Sequence, residues 1–412
     1  MPHDQFDITK PWPHELDPLM RDLYHILKSY DGALTDFEKA IKKALESHVP
    51  ELKALKIHYP SDYIWFMNDL LKWIPSENKD GTWVYTHLVV FYWVFNLPPF
   101  LHNIRVQTEI IPQNFGVKKP VTAWIVRYAI KMGEFMNTTD SWTLESLKSF
   151  EEAKEYHVDW YKGPWKTFNE FFSRHLKVPR TIPEPNNDRV IVSPADSTYQ
   201  TPMVHVNDNS DINVKGVFWN IDKLLSNSGY LKGGEFAGGL FIHSFLKPFD
   251  YHRQHAPCSG ILRDAVIVQA QCYLEVIEEV DGRDGRPHLR PVRPIPPPST
   301  PKDGSSPGAP DSTGYQFLQT RGIFIIENEH LGLVAVLPVG MAQISSVNTN
   351  LADKIGTKLK KGDEISWFEC GGSDIIMVFQ KKANVELIVT PGPKAHHLQG
   401  EYVIKANYKD II

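Results

Sequence analysis

The sequence predicts an α+β protein, with an N-terminal α-helical domain followed by a largely antiparallel β domain. Three observations carry this prediction. Apolar residues recur at helical spacing up to about residue 160. Beyond about residue 185 the apolar runs become short, β-branched and punctuated by glycine. The chain of 412 residues is 42% hydrophobic and 12% aromatic, which is enough to build a core and excludes a disordered polypeptide. The expected division is 1–160 for the helical part and 161–412 for the β-rich part.

In the helical part, Thr35-x-x-Glu38 reads as a capping box. Phe37, Ile41, Leu45 and Val49 follow on one helix face, and Pro50 ends the run. Residues 63–73, 122–136 and 144–161 also suit helices, and no titratable cluster stands out among them. The most apolar stretch, 88–97, is followed by Pro98-Pro99 and is too short to span a bilayer. It reads as a buried helix, with an interfacial membrane contact as the alternative. The first residues show neither a signal-peptide nor a transit-peptide pattern, so a cytoplasmic location is expected.

Strands are expected at 189–192, 239–243, 261–268, 322–327, 331–339 and 385–390. Residues 282–314 contain nine prolines and read as an exposed insertion, with a partner site of the proline-rich kind as the alternative. Charge is nearly balanced, 44 basic residues against 49 acidic, so nothing points to nucleic acid. Three cysteines without C-x-x-C spacing argue against a disulfide framework and for a reducing compartment.

Three segments carry chemistry. Gly371-Gly372-Ser373-Asp374 lies between two apolar runs and, taken alone, reads as a hairpin turn. Asp250-Tyr251-His252-Arg253-Gln254-His255 packs two histidines and an aspartate into six residues. That group is a hydrogen-bonded turn, an acid–base pair, or two ligands of a metal ion; no third ligand is evident from spacing, so no metal is expected. Asp196, in Ser193-Pro194-Ala195-Asp196, is a turn former or the carboxylate that orients a histidine beside a serine nucleophile.

Together these residues resemble the phosphatidylserine decarboxylase family of pyruvoyl enzymes. The likeness runs from about residue 160 to the C-terminus. It includes the run from Trp165 to Arg174, Ser193 to Asp196, Lys215-Gly216, Leu224-Leu225, Asp250 to Pro257, Gly340-Met341, Lys361 to Asp363 and Gly371 to Ser373. The helical N-terminal region and the Gly-Gly-Ser triplet look more like the soluble fungal branch, which contains L-tryptophan decarboxylases.

The resemblance implies that Asp196 orients His255, that His255 takes the Ser373 proton, and that the Ser373 hydroxyl attacks the Gly372 carbonyl. Elimination then separates residues 1–372 from 373–412 and leaves dehydroalanine at position 373, which hydrolyses to a pyruvoyl group. The two fragments stay associated, and a homodimer is compatible with the reading. The pyruvoyl ketone would hold the substrate amine as a Schiff base and accept electrons as CO₂ leaves. His252 would return the proton, with Asp250 a weaker candidate for tuning it. The implied activity is decarboxylation of an L-amino acid such as tryptophan, with phosphatidylserine decarboxylation as the alternative.

Two departures from the family pattern stand out. Asp374 follows the serine where a small hydroxyl residue is usual, and Trp219-Asn220 replaces a Tyr-Ser pair. Loss of self-cleavage, leaving a non-catalytic binding module, is the competing class of reading. A metal-dependent hydrolase is a more remote one.

Overall fold

Where the apolar periodicity is 3.6, the chain forms helices: Pro18–Ser29, Ala33–Glu46, Pro50–Ala54, Pro60–Leu70, Trp83–Asn96, Pro120–Met136, Leu144–Glu152 and Phe168–Phe172. The structure is a computed structural model that describes residues 5–10, 12, 14–98, 100–214, 217–280, 285–292, 314–342, 346–370 and 372–409. Lys215, Gly216, Gly371 and most of 282–314 lie outside the described residues.

The expected capping box is not formed. Gly32, in left-handed backbone at φ 76°, is the N-cap residue of Ala33–Glu46, which places Thr35 inside the first turn. Glu38 instead accepts a hydrogen bond from the Phe6 N–H at 3.0 Å. Pro50 does not end that helix either. The helix stops at Glu46, and Pro50 is the first residue of the next one, where a missing N–H costs nothing.

Helix Trp83–Asn96 is apolar around its whole circumference, and residues 88–95 are all buried. It is therefore a central core element. Among the described residues no helix is long and apolar enough to cross a membrane. Trp124 shows how the neighbouring helices grip this core: it is wholly buried, donates its indole N–H to the Leu19 carbonyl at 2.7 Å, and lies against Phe95 and Tyr128. Trp124→Ala should therefore cost about 3–5 kcal/mol, read as a lower urea midpoint of the uncut chain. An unchanged midpoint would show that the helical layer does not contribute to cooperative folding.

From Val190 onward the chain is β-rich. A nine-stranded antiparallel sheet runs in the order Lys358–Leu359, Gly260–Val268, Arg321–Asn328, Gly332–Met341, Gly372–Phe379, Leu240–Leu246, Ser197–Thr198, His396–His397. Val204–His205 also pairs with Leu240–Leu246. Each strand expected from the sequence is present, with bounds shifted by a few residues.

The proline-rich stretch is not wholly irregular. Pro287–Pro291 pairs with Val276–Val280 and forms an arm against Trp83–Asn96. Its β character comes from the partner strand, since prolines at both ends sit where ladder donors are dispensable. Asn96 ties the two layers together by donating to the Leu274 carbonyl at 2.9 Å.

Candidate active site

Ser373 is in a strand and not in a hairpin turn. The runs on either side of Gly371-Gly372 belong to different sheets: Glu364–Phe368 pairs with Arg253–His255 and Val347–Asn348, whereas Gly372–Phe379 enters the large sheet between Gly332–Met341 and Leu240–Leu246. Ser373 sits directly opposite Gly340 on one side and Leu246 on the other. Directly opposed residues share a sheet face, so the serine side chain faces the same way as Gly340, which has none to crowd it. The Ser373 hydroxyl is fully buried and has no hydrogen-bond partner among the described residues. A buried hydroxyl without a partner carries a desolvation cost of about 1–3 kcal/mol. That cost makes a structural role for the serine a poor explanation of its presence.

Asp374 points to the opposite face and is also fully buried. One carboxylate oxygen lies 2.8 Å from His243 Nε2, and the other has no partner among the described residues. The residue that departs from the family pattern therefore faces inward, held by a histidine on the adjacent strand.

The run from Asp250 to His255 is positioned by the short helix Phe168–Phe172, which Thr167 caps by accepting from the Glu170 N–H at 3.1 Å. Arg174, just past this helix, is buried and donates to the Phe249 and Asp250 carbonyls at 2.6 and 3.3 Å. Asn169 accepts from the Cys370 N–H at 2.9 Å, fixing the approach to Ser373. Phe172 stacks on the buried His252 ring at 3.9 Å. The Trp165 to Arg174 segment thus braces both halves of the candidate site.

His255 is placed by its own N–H on the Pro194 carbonyl at 2.8 Å. Its Nδ1 lies 2.7 Å from the Gly362 carbonyl, so Nδ1 carries the proton and donates. Nε2 is then the acceptor, 3.2 Å from the Tyr251 hydroxyl. Burial holds this imidazole below the ordinary histidine value, with the Gly362 bond opposing. Gly362 supports this bond from left-handed backbone at φ 90°.

Asp196 does not bond to His255. Arg180 takes both of its carboxylate oxygens, at 2.9 Å for the Nη2 contact, and the Gln399 N–H adds a third bond at 2.7 Å. A guanidinium fork matches a carboxylate in two places, which a single imidazole N–H cannot do. Arg180 also lies over the Tyr251 ring, at 5.5 Å from its centre. The link from Asp196 to His255 therefore runs through Arg180 and Tyr251.

Asp250 is likewise engaged elsewhere. It accepts from the Lys247 N–H at 2.7 Å and lies 2.9 Å from His396 Nε2. The Asp250 bond raises the His396 pKa above its ordinary value. Trp219 of the second departure is buried and stacks on Phe317, while Asn220 caps the short helix Ile221–Leu224. These are packing and capping roles.

Sequence reasoning missed Arg180, His243 and His396. His243 and His396 reach their carboxylates from distant parts of the chain and Arg180 from sixteen residues upstream, and no local spacing announces any of them. Arg174 lay within the quoted Trp165 to Arg174 run, but its grip on the Asp250 turn was not visible there.

Comparison with known proteins gives the family. The family model for phosphatidylserine decarboxylase matches residues 168–404, more than half of the chain. Phosphatidylserine decarboxylase proenzyme 2 of Saccharomyces cerevisiae is 30% identical over 220 residues, covering 52% of this chain and 16% of that protein. The phosphatidylserine decarboxylase proenzyme of Escherichia coli O9:H4 is 35% identical over 127 residues, 29% of this chain and 38% of that protein. Proenzyme 3 of Schizosaccharomyces pombe is 29% identical over 228 residues, 54% of this chain and 20% of that protein. The chain thus spans less than two-fifths of the length of these relatives. On the family match, the chain belongs to the phosphatidylserine decarboxylase family.

Proposed function

We propose that this protein is a self-processing, pyruvoyl-dependent decarboxylase whose substrate is phosphatidylserine, with residues 161–412 as its catalytic unit. The family is one of pyruvoyl-dependent carboxy-lyases, and the relatives are named as proenzymes of phosphatidylserine decarboxylase. The observation that carries the reading is the Ser373 hydroxyl, buried without a partner among the described residues at the head of an interior strand. The match favours the phospholipid over a free amino acid such as tryptophan, since the three relatives named above are all phosphatidylserine decarboxylase proenzymes.

Ser373 fits its role as the parent of a pyruvoyl group. Its neighbour Gly372 leaves the attacked carbonyl uncrowded, and the facing Gly340 leaves space beside the hydroxyl. In this reading the Ser373 oxygen attacks the Gly372 carbonyl carbon, the amide becomes an ester, and elimination frees the Gly372 carboxylate and leaves dehydroalanine at 373, which water hydrolyses to the pyruvoyl group with loss of ammonia. Once formed, the pyruvoyl group supplies an electron sink conjugated to the amide of Asp374. The strands on either side, Gly332–Met341 and Leu240–Leu246, hold that position in register.

His255 is the proton acceptor for cleavage in this reading, with Nε2 as its basic atom. Tyr251 shares that nitrogen in the uncut chain, and Arg180 and Asp196 lock Tyr251 from behind. His252, clamped between Phe172 and Phe368, is the proton donor assigned to turnover.

The lowered His255 pKa gives this assignment a pH signature. A base works only when unprotonated, so depression of its pKa moves the acid limb of cleavage below the ordinary value of 6.5. Freshly translated chain, followed by denaturing mass spectrometry, should keep its cleavage rate down to that pH and lose it only lower. An acid limb above 6.5 would remove His255 as the base.

The substrate is tested by incubating purified, split protein with short-chain phosphatidylserine, L-serine and L-tryptophan and measuring CO₂ and amine. Release from phosphatidylserine is expected. Release from tryptophan alone would overturn the phospholipid assignment, and release from none would overturn the decarboxylase reading.

A further inference from the structure

A groove of about 640 Å³ lies between the helical layer and the large sheet. Its walls are the start of helix Trp83–Asn96, the arm ending in Pro287–Pro291, and the segment from Phe245 to Phe249. That segment places the groove beside the reacting strand. Phe245 is the direct partner of Asp374 and shares its face, opposite to the Ser373 hydroxyl; the next residue, Leu246, is the partner of Ser373 and ends its strand, so the groove borders the reacting position at the strand end.

The charges around the groove are mostly spoken for. Arg290 pairs with Glu279, and His288 lies 3.3 Å from Glu51. Lys247 differs: it is half-buried, its ammonium lies 5.2 Å from the centre of the Phe249 ring, and it has no carboxylate partner among the described residues. An ammonium in an aromatic-lined cleft beside a reaction centre is an anion receptor.

Which anion it receives follows from the reaction. A cation that grips the departing carboxylate stabilises the substrate and loses its partner as CO₂ leaves, which raises the barrier. Lys247 is useful only to an anion that substrate and product share. In an amino acid such as serine or tryptophan the departing carboxylate is the sole anion. In a serine phosphodiester the phosphate persists unchanged through the loss of CO₂.

We propose that this groove is the headgroup site of the Ser373 centre, with Lys247 binding the substrate's phosphodiester and the Phe245 and Phe249 rings flanking it. The inference rests on the decarboxylase reading for the reaction, but the groove is already formed in the uncut chain and can be tested there. Because the phosphate contact is equal in substrate and product, its loss falls on KM and not on kcat.

The test has two arms. In the uncut Ser373→Ala chain, calorimetry measures binding of glycerophosphoserine, glycerophosphoethanolamine and L-tryptophan, with and without Lys247→Gln or Lys247→Arg. Both phosphodiesters should bind, Lys247→Gln should weaken them about tenfold or more, and Lys247→Arg should restore them. In the split protein, Lys247→Gln should raise KM for short-chain phosphatidylserine by a similar factor. Phosphodiester binding indifferent to Lys247→Gln, or tryptophan binding that depends on Lys247, would overturn the proposal. Absence of CO₂ release from every substrate would instead count against the decarboxylase reading, while the binding arm still decides the role of Lys247.

Discussion

Ser373→Ala should remain a single chain of 412 residues, while the parent protein divides into pieces of 372 and 40 residues. Of all substitutions this one has the largest expected effect, because it removes the hydroxyl that the proposed reading assigns to attack on the Gly372 carbonyl. The small piece should resist N-terminal sequencing, since its first residue no longer carries an amine. Alanine fills the same interior position between Gly340 and Leu246 and removes a buried hydroxyl that has no partner among the described residues, so the variant should fold at least as well. Ser373→Cys keeps a nucleophile and should still divide. Denaturing mass spectrometry reads all three outcomes, and a parent chain that never divides would remove the pyruvoyl reading altogether.

The second large effect is expected at His252. Its ring is fully buried, stacked on Phe172 at 3.9 Å, and its carbonyl is fixed by the Phe368 N–H at 2.9 Å. A group held so firmly is suited to delivering a proton to one atom. His252→Gln should therefore divide at Gly372–Ser373 as the parent does, yet release CO₂ about 10²–10⁴-fold more slowly. The contrast with His255 is the informative part: substitution there should stop division itself. If His252→Gln failed to divide, or kept full turnover, the separation of roles between the two histidines would be wrong.

The sequence carried the fold well where local rules decide it. Helical periodicity in the first third and short β-branched runs in the remainder correspond to the observed elements, because binary pattern and period are local properties. Positions set by a neighbour's backbone were misread, as with Thr35, displaced into a first turn by the left-handed Gly32. The Gly-Gly-Ser triplet shows the same limit: its composition is that of a turn, but the flanking strands pair elsewhere and draw the serine into an interior strand.

Candidate site residues were legible as types and not as partnerships. Asp196, His252, His255 and Ser373 could be picked out as proton-handling and nucleophilic groups. The bond expected between Asp196 and His255 is not made, because Arg180, sixteen residues upstream of Asp196, offers the carboxylate a two-point match. His243 and His396 were invisible for a related reason. Each meets its aspartate across more than 130 positions of sequence, where only the folded sheet brings them together.

The interior placement of the strand Gly372–Phe379 has a consequence for the protein once divided. The 40-residue piece would supply that strand and also Tyr402–Ala406, which pairs with Val190–Val192 in a second sheet. Unfolding then separates two molecules where the undivided chain yields one. Its midpoint should depend on protein concentration, falling on dilution, whereas that of Ser373→Ala should not. Division would thus convert an intramolecular closure into a bimolecular encounter, and a protein that folded once with ease would become dependent on never letting go.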